Sequence, residues 1–123
     1  MQRRIDDPDS YHRKNSSVKK RISGLLELEK PIICRINGDC IGGGASIALL
    51  CDMTIAVDTA RIGDRHVRMG FAAGDGAAII WPQLIGYPRA REYLLTGDLL
   101  EATRAEQIGL INYAVPRDQL DAR

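Results

Sequence analysis

Apolar positions in this chain alternate between two spacings, and the alternation predicts its elements. From Ser10 to about Leu28, Val18, Ile22, Leu25 and Leu26 recur at helical spacing with charged residues on the opposite face. That period predicts an amphipathic helix. Pro31 stops it, and Ile32-Ile33-Cys34-Arg35-Ile36 is a short β-branched run of the kind that forms a strand buried on both faces of a parallel sheet. Asn37-Gly38-Asp39 turns the chain.

After Gly42-Gly43-Gly44, the residues Ala45, Ala48 and Leu49 repeat at i, i+3 and i+4 up to Cys51, and Met53 to Val57 is a second strand-like run. Arg61 to Gly74 combines glycines with many charges and predicts a loop with at most short strands. A helix is expected from Asp75, disturbed by Pro82 and stopped by Gly86. Pro88 opens another, with Ala90, Tyr93 and Leu94 on one face and Gly97 at its end. Ala102 to Ile108 predicts a short helix closed by Gly109, and Leu110 to Val115 a strand closed by Pro116. Helices alternating with strands make the class α/β.

Composition narrows the function classes. The 123 residues suit one modest domain, and 45% hydrophobic with 27% charged residues describes a soluble globular chain. No apolar run reaches the length of a membrane span. A net charge of +1 gives no global signal for nucleic acid or an anionic membrane. The basic stretch Arg13, Lys14, Lys19, Lys20 and Arg21 reads as a solvated helix face, and His12 within it has no evident partner. Three cysteines, Cys34, Cys40 and Cys51, without CxxC spacing, argue against a disulfide framework or a zinc site. No metal is expected. The first residues lack the apolar stretch of a secretory signal, so a cytoplasmic location is the default expectation.

The glycine run carries the strongest chemical signal. Three glycines between a strand and a helix let the backbone approach a ligand with no Cβ in the way. The first amides of a helix have no partner within it and sit at the positive end of its dipole, which suits a carbonyl oxygen gaining negative charge. Neither GxGxxG nor GxxxxGK[ST] is present, so this is not a phosphate loop. A plain turn is the competing reading.

The run stands in an ordered set: Lys30-Pro31-Ile32-Ile33, Asn37-Gly38, Gly42-Gly43-Gly44, Cys51-Asp52, Gly86, Leu95-Thr96-Gly97 and Gly109-Leu110. This set resembles the central segment of the crotonase (enoyl-CoA hydratase/isomerase) superfamily, over about residues 20 to 116. The resemblance implies a crotonase-like spiral of ββα units, truncated at both ends here, with residues 1–123 forming a partial domain. It implies an acyl-CoA thioester as substrate with no separate cofactor, and an enolate held by two backbone amides. Gly43 matches one of them, with Gly42, Gly44 and Ser46 expected against the substrate. The second amide and the C-terminal helices that help build a trimer or hexamer are implied to lie outside residues 1–123.

Where hydratases of this family carry two glutamates acting on water, this sequence has Ser46 and His66. A serine hydroxyl cannot replace a carboxylate base, which argues against hydration by paired carboxylates. His66, with Asp75 nine residues later in Gly74-Asp75-Gly76, resembles instead the β-diketone hydrolase (oxocamphor hydrolase) branch, although that branch lacks the full triple glycine. A His/Asp pair is the implied catalytic set.

Plainer readings remain beside these. Asp75 fits a helix N-cap, His66 an exposed loop histidine, Ser46 an ordinary helical residue, Asp52 a structural hydrogen-bonding group, and Trp81 core or pocket wall. Three functions are compatible with the sequence: an acyl-CoA enzyme, a carbon–carbon hydrolase using His66 and Asp75, and a truncated inactive product that packs against a partner.

Overall fold

The computed structural model describes residues 22–122 together with Ser16, Lys19 and Lys20. The chain divides into two compact units at the Lys30–Pro31 boundary. In the first unit, residues 22–26 are helical, and the Glu27 amide donates to the Ser23 carbonyl at 2.9 Å. Ile22 and Leu25 are half-buried while Leu26 and Leu28 are exposed. Lys19 and Lys20 are exposed; His12, Arg13, Lys14, Val18 and Arg21 lie outside the described residues.

The second unit starts at Pro31; the helix has already ended at Leu26, ahead of the proline expected to stop it. Strands β1 (Ile33–Ile36), β3 (Met53–Val57) and β6 (Tyr113–Val115) form one parallel sheet in the order β1-β3-β6. Strands β2 (Cys40–Ile41), β4 (Arg61–Gly63) and β5 (Leu100–Glu101) form a second, with β2 and β4 parallel and β4 and β5 antiparallel. Helices α1 (Gly43–Leu49), α2 (Ala77–Ile85), α3 (Tyr87–Thr96) and α4 (Ala102–Gln107) connect them. Twice in succession the chain lays one strand in the first sheet, one in the second, and then turns into a helix: β1, β2, α1, then β3, β4, α2. This is a ββα spiral.

Strand β3, central in its sheet, is buried from Thr54 to Val57, as its continuous apolar run requires. Strand β1 departs from the expectation of burial on both faces. It lies at the sheet edge, Ile33 is 61% exposed, and Arg35 is exposed and ion-paired with Asp121. Ile33 and Arg35 share one face of β1, while Cys34 and Ile36 on the other face pack toward the core. The core is built around Ala56, Val57, Ile62, Trp81, Ala102 and Leu110, and its many alanines let helices and strands approach closely.

Helix ends reflect the chemistry of their residues. Gly97 (φ 68°) and Gly109 (φ 80°) take the left-handed conformation, the first ending α3 and the second lying just beyond α4. Pro82 sits inside α2 without breaking it, since the helix runs on to Ile85 and the Gly86 amide donates to the Pro82 carbonyl at 3.0 Å. Asp52 is structural: its Oδ2 accepts the Ile32 amide at 2.7 Å. Asn112 extends the sheet, with Oδ1 accepting the Thr54 amide at 2.8 Å and its hydroxyl at 3.0 Å. Arg61 and Asp39 clamp β4 beside β2, Asp39 Oδ1 accepting the Arg61 amide at 3.0 Å. The same guanidinium holds the Asp39 carboxyl below the usual carboxylate range.

The cysteines are free and half-buried. Burial, with Cys51 and Cys40 nearby, pushes the Cys34 thiol from an ordinary value of 9.0 to about 11. Because the folded value is raised, the neutral thiol's contribution to stability is fully present below about pH 9 and is lost as pH rises through about 11. Alkylation of Cys34 by iodoacetamide at pH 8, followed by peptide mass spectrometry, is expected to be roughly a hundredfold slower in the folded chain than in urea. Equal rates would contradict the burial described here.

Candidate active site

The site forms where the end of β4 meets the start of α1. Gly42 lies between β2 and α1 with φ 61° and ψ −127°, a conformation open to glycine and strained for other residues. Its amide donates to the Gly63 carbonyl at 2.9 Å, and its carbonyl accepts the Ser46 amide at 3.0 Å. These two bonds tie the first turn of α1 to the last residue of β4. The chain leaving β4 then carries Asp64 and His66 past that turn.

His66 precedes a 3₁₀ turn (Val67–Met69), and its ring lies beside the glycines: a Cβ on Gly42 would sit 3.5 Å from His66 Cε1. Asp75 approaches from the loop before α2, and a Cβ on Gly43 would sit 3.3 Å from its Oδ2. His66 Nε2 and Asp75 Oδ2 are 3.7 Å apart, close but beyond direct hydrogen-bond distance. Ser46, buried on α1, donates its hydroxyl to Asp75 Oδ1 at 3.0 Å. Gly76 lies beside Ser46, where a Cβ would make an ordinary 3.6 Å contact with Ser46 Cβ; its φ of 125° is what favours glycine there.

Two plain readings are thereby corrected. Asp75 is not the N-cap of α2; Gly76 occupies that position without a side-chain bond, and the Asp75 carboxylate is turned toward Ser46 and His66 instead. His66 is not a freely exposed loop histidine, for its side chain is only 24% exposed and Asp64 holds Nδ1 at 2.8 Å. Asp75 has 20% side-chain exposure, so the pair is reachable from solvent yet partly shielded. Gly42 and Gly43 are adjacent to the pair, whereas a Cβ on Gly44 would meet only open space.

Asp64 is the residue that sequence reasoning missed. It comes directly after β4 and is 1% exposed. The signal was present as Asp64-Arg65-His66, since an aspartate readily accepts the backbone N–H two residues on. Donor atoms of Asp64, His66 and Asp75 lie within 4.8 Å of one another, near enough to surround a cation. Both Asp64 oxygens, however, face His66 Nδ1, at 2.8 and 2.9 Å, an arrangement that orients the imidazole. Trp81, on the inner face of α2 and 0% exposed, is core: its ring meets Tyr93 at 6.3 Å between centroids.

Elsewhere, an apolar groove of about 440 Å³ lies between the 3₁₀ turn and helices α2 and α3, with Val67, Phe71, Ala73, Tyr87 and Leu94 among its walls. None of Ser46, Asp64, His66 or Asp75 lines it. Among the described residues no helix is long and apolar enough to cross a membrane.

The sequence profile of the enoyl-CoA hydratase/isomerase family matches residues 1–123. A crotonyl-CoA hydratase of Syntrophomonas wolfei is 35% identical over 109 residues, covering 88% of this chain and 42% of that protein. A probable mitochondrial enoyl-CoA hydratase of Dictyostelium discoideum is 35% identical over 113 residues, 92% of this chain and 40% of that protein. The crystal structure of an enoyl-CoA hydratase from Bacillus anthracis superposes with a TM-score of 0.89 at 30% identity, covering 94% of this chain and 45% of that one. The chain thus spans less than half the length of these relatives.

Proposed function

The chain belongs to the enoyl-CoA hydratase/isomerase family, and we propose that its site processes an acyl-CoA thioester through an enolate held at the start of α1. The observation that carries this reading is the convergence of His66 and Asp75 on the Gly42-Gly43 turn, with Nε2 and Oδ2 3.7 Å apart and both side chains in contact range of the two glycines. Catalysis of this kind needs a donor for the developing oxyanion and a proton carrier next to it.

In this reading the Gly43 amide, first of α1, donates to the thioester oxygen as negative charge develops there. His66 Nε2 takes a proton from water, whose oxygen adds to the β-carbon, or from the α-carbon of the acyl chain. The imidazolium passes that proton to the Asp75 carboxylate, which delivers it to the α-carbon in hydration or to the γ-carbon of the dienolate in isomerisation. Ser46 orders Asp75 through its 3.0 Å hydrogen bond, which gives the hydroxyl a positioning duty in place of a base. Gly42 and Gly44 border the substrate, keeping the backbone approachable. Hydration and isomerisation both pass through such an enolate.

A second reading is favoured by one observation, that His66 lies between two carboxylates, Asp64 at 2.8 Å and Asp75 at 3.7 Å. Such a pair suits activation of water for attack on a ring ketone, with cleavage of the adjacent carbon–carbon bond and release of an enolate held at Gly43. Parallel turnover assays with a short enoyl-CoA thioester and a cyclic β-diketone separate the two. Consumption of the thioester supports the first reading, consumption of the diketone alone replaces it with the second, and turnover of neither by the folded chain contradicts both.

A further inference from the structure

The buried carboxylate of Asp64 has a duty that the proposed chemistry leaves unassigned. A carboxylate removed from water is strongly disfavoured unless donors surround it. Among the described residues, the hydrogen bonds to this one all come from His66: the backbone N–H reaches Oδ1 at 2.9 Å, and ring Nδ1 lies 2.8 Å from Oδ1 and 2.9 Å from Oδ2. Since an ionised carboxylate only accepts, Nδ1 must carry a proton. In the neutral ring the lone pair then belongs to Nε2, the nitrogen that faces Asp75.

Asp64 also fixes where that nitrogen points. The backbone bond and the ring contacts close on the same carboxylate two residues back, so neither the ring plane nor its tilt is free while Asp64 stays buried beneath it. A base is effective only when its tautomer and direction are set in advance, usually by a third group behind it. We propose that Asp64 is the positioning residue of His66, holding the proton on Nδ1 and aiming Nε2 at Asp75 and the Gly42-Gly43 turn. This rests on the reading of His66 as the proton carrier of the site, although the tautomer can be tested without it.

A purely structural Asp64 would only cap the 3₁₀ turn through the His66 backbone N–H. Asp64→Asn separates the two duties, because its amide oxygen can still accept that N–H while its NH₂ group, placed against the ring, donates to Nδ1 and moves the ring proton to Nε2. The experiment is a long-range ¹H–¹⁵N spectrum of the whole chain labelled at histidine nitrogens, with steady-state turnover of a short enoyl-CoA thioester. The wild type is expected to show His66 protonated at Nδ1, and Asp64→Asn to show it protonated at Nε2. The variant's kcat is expected to fall by on the order of 10²- to 10⁴-fold with KM within a few-fold of wild type, and Asp64→Glu to recover part of the loss.

A wild-type ring that is neutral and protonated at Nε2 overturns the proposal, and so does an Asp64→Asn ring unchanged from wild type or an unchanged kcat. If the wild type turns over no thioester, the acyl-CoA reading fails while the nitrogen signals still decide the role of Asp64. Should Asp64→Asn not fold, the wild-type spectrum and Asp64→Glu decide it.

Discussion

His66→Ala is expected to lower turnover of a short enoyl-CoA thioester by on the order of 10²- to 10⁴-fold, the usual contribution of a positioned acid–base group. The loss should fall on kcat rather than KM, because in the proposed reading the ring meets the reacting proton and thioester binding is left to the backbone. The variant's stability should fall as well, by about 1–3 kcal/mol, although the side chain is 24% exposed. The ring is the main partner of the buried Asp64 carboxylate, and removing it leaves that carboxylate with only the backbone N–H of residue 66. Steady-state kinetics with thermal unfolding of the same preparation checks both. Activity retained within a few-fold would remove His66 from the chemistry.

Trp81→Ala is expected to produce the largest loss of stability, about 3–5 kcal/mol, by deleting a large ring from a packed interior. Trp81 is 0% exposed, its ring leans on Tyr93 at a 52° tilt, and α2 carries it between Ala77 and Ile85, both buried. Helix α2 begins immediately after Asp75 and Gly76, so a collapse around the cavity would loosen the loop that presents the carboxylate to Ser46. Urea unfolding followed by circular dichroism measures the loss. A change below about 1 kcal/mol would mean the site around Trp81 collapses or is less tightly packed than described.

Elements set by local chemistry were readable in the sequence. Met53–Val57 is a strand because five residues of continuous, mostly apolar sequence sit centrally in a parallel sheet, and Gly97 and Gly109 mark helix ends because each takes a positive φ. Strands β2 and β5 escaped notice, since two residues hold no period to detect. Ile33 looked like core because β-branched residues do not reveal which face of their strand is covered. Asp75 looked like a cap because capping is local, whereas its contact with Ser46 spans 29 positions and exists only once α1 packs near the loop before α2. The glycines and His66 stood out as candidates through their types, and the structure places His66 beside Gly42. Asp64 did not, because its importance comes from burial beneath a ring two residues away.

The most direct test is a calorimetric titration of a short enoyl-CoA thioester into the folded chain, alongside Gly43→Pro. Proline at the first helical position is well tolerated, so this change deletes the N–H proposed to hold the oxyanion while leaving α1 able to form. Gly43→Ala, which adds a Cβ at the same 3.3 Å from Asp75 Oδ2 but keeps the N–H, controls for the added bulk and is expected to bind more tightly than Gly43→Pro. The account predicts saturable binding by the wild type and clear weakening in Gly43→Pro. Absence of saturable binding by the folded wild type, or equal affinity in the wild type and Gly43→Pro, would contradict it.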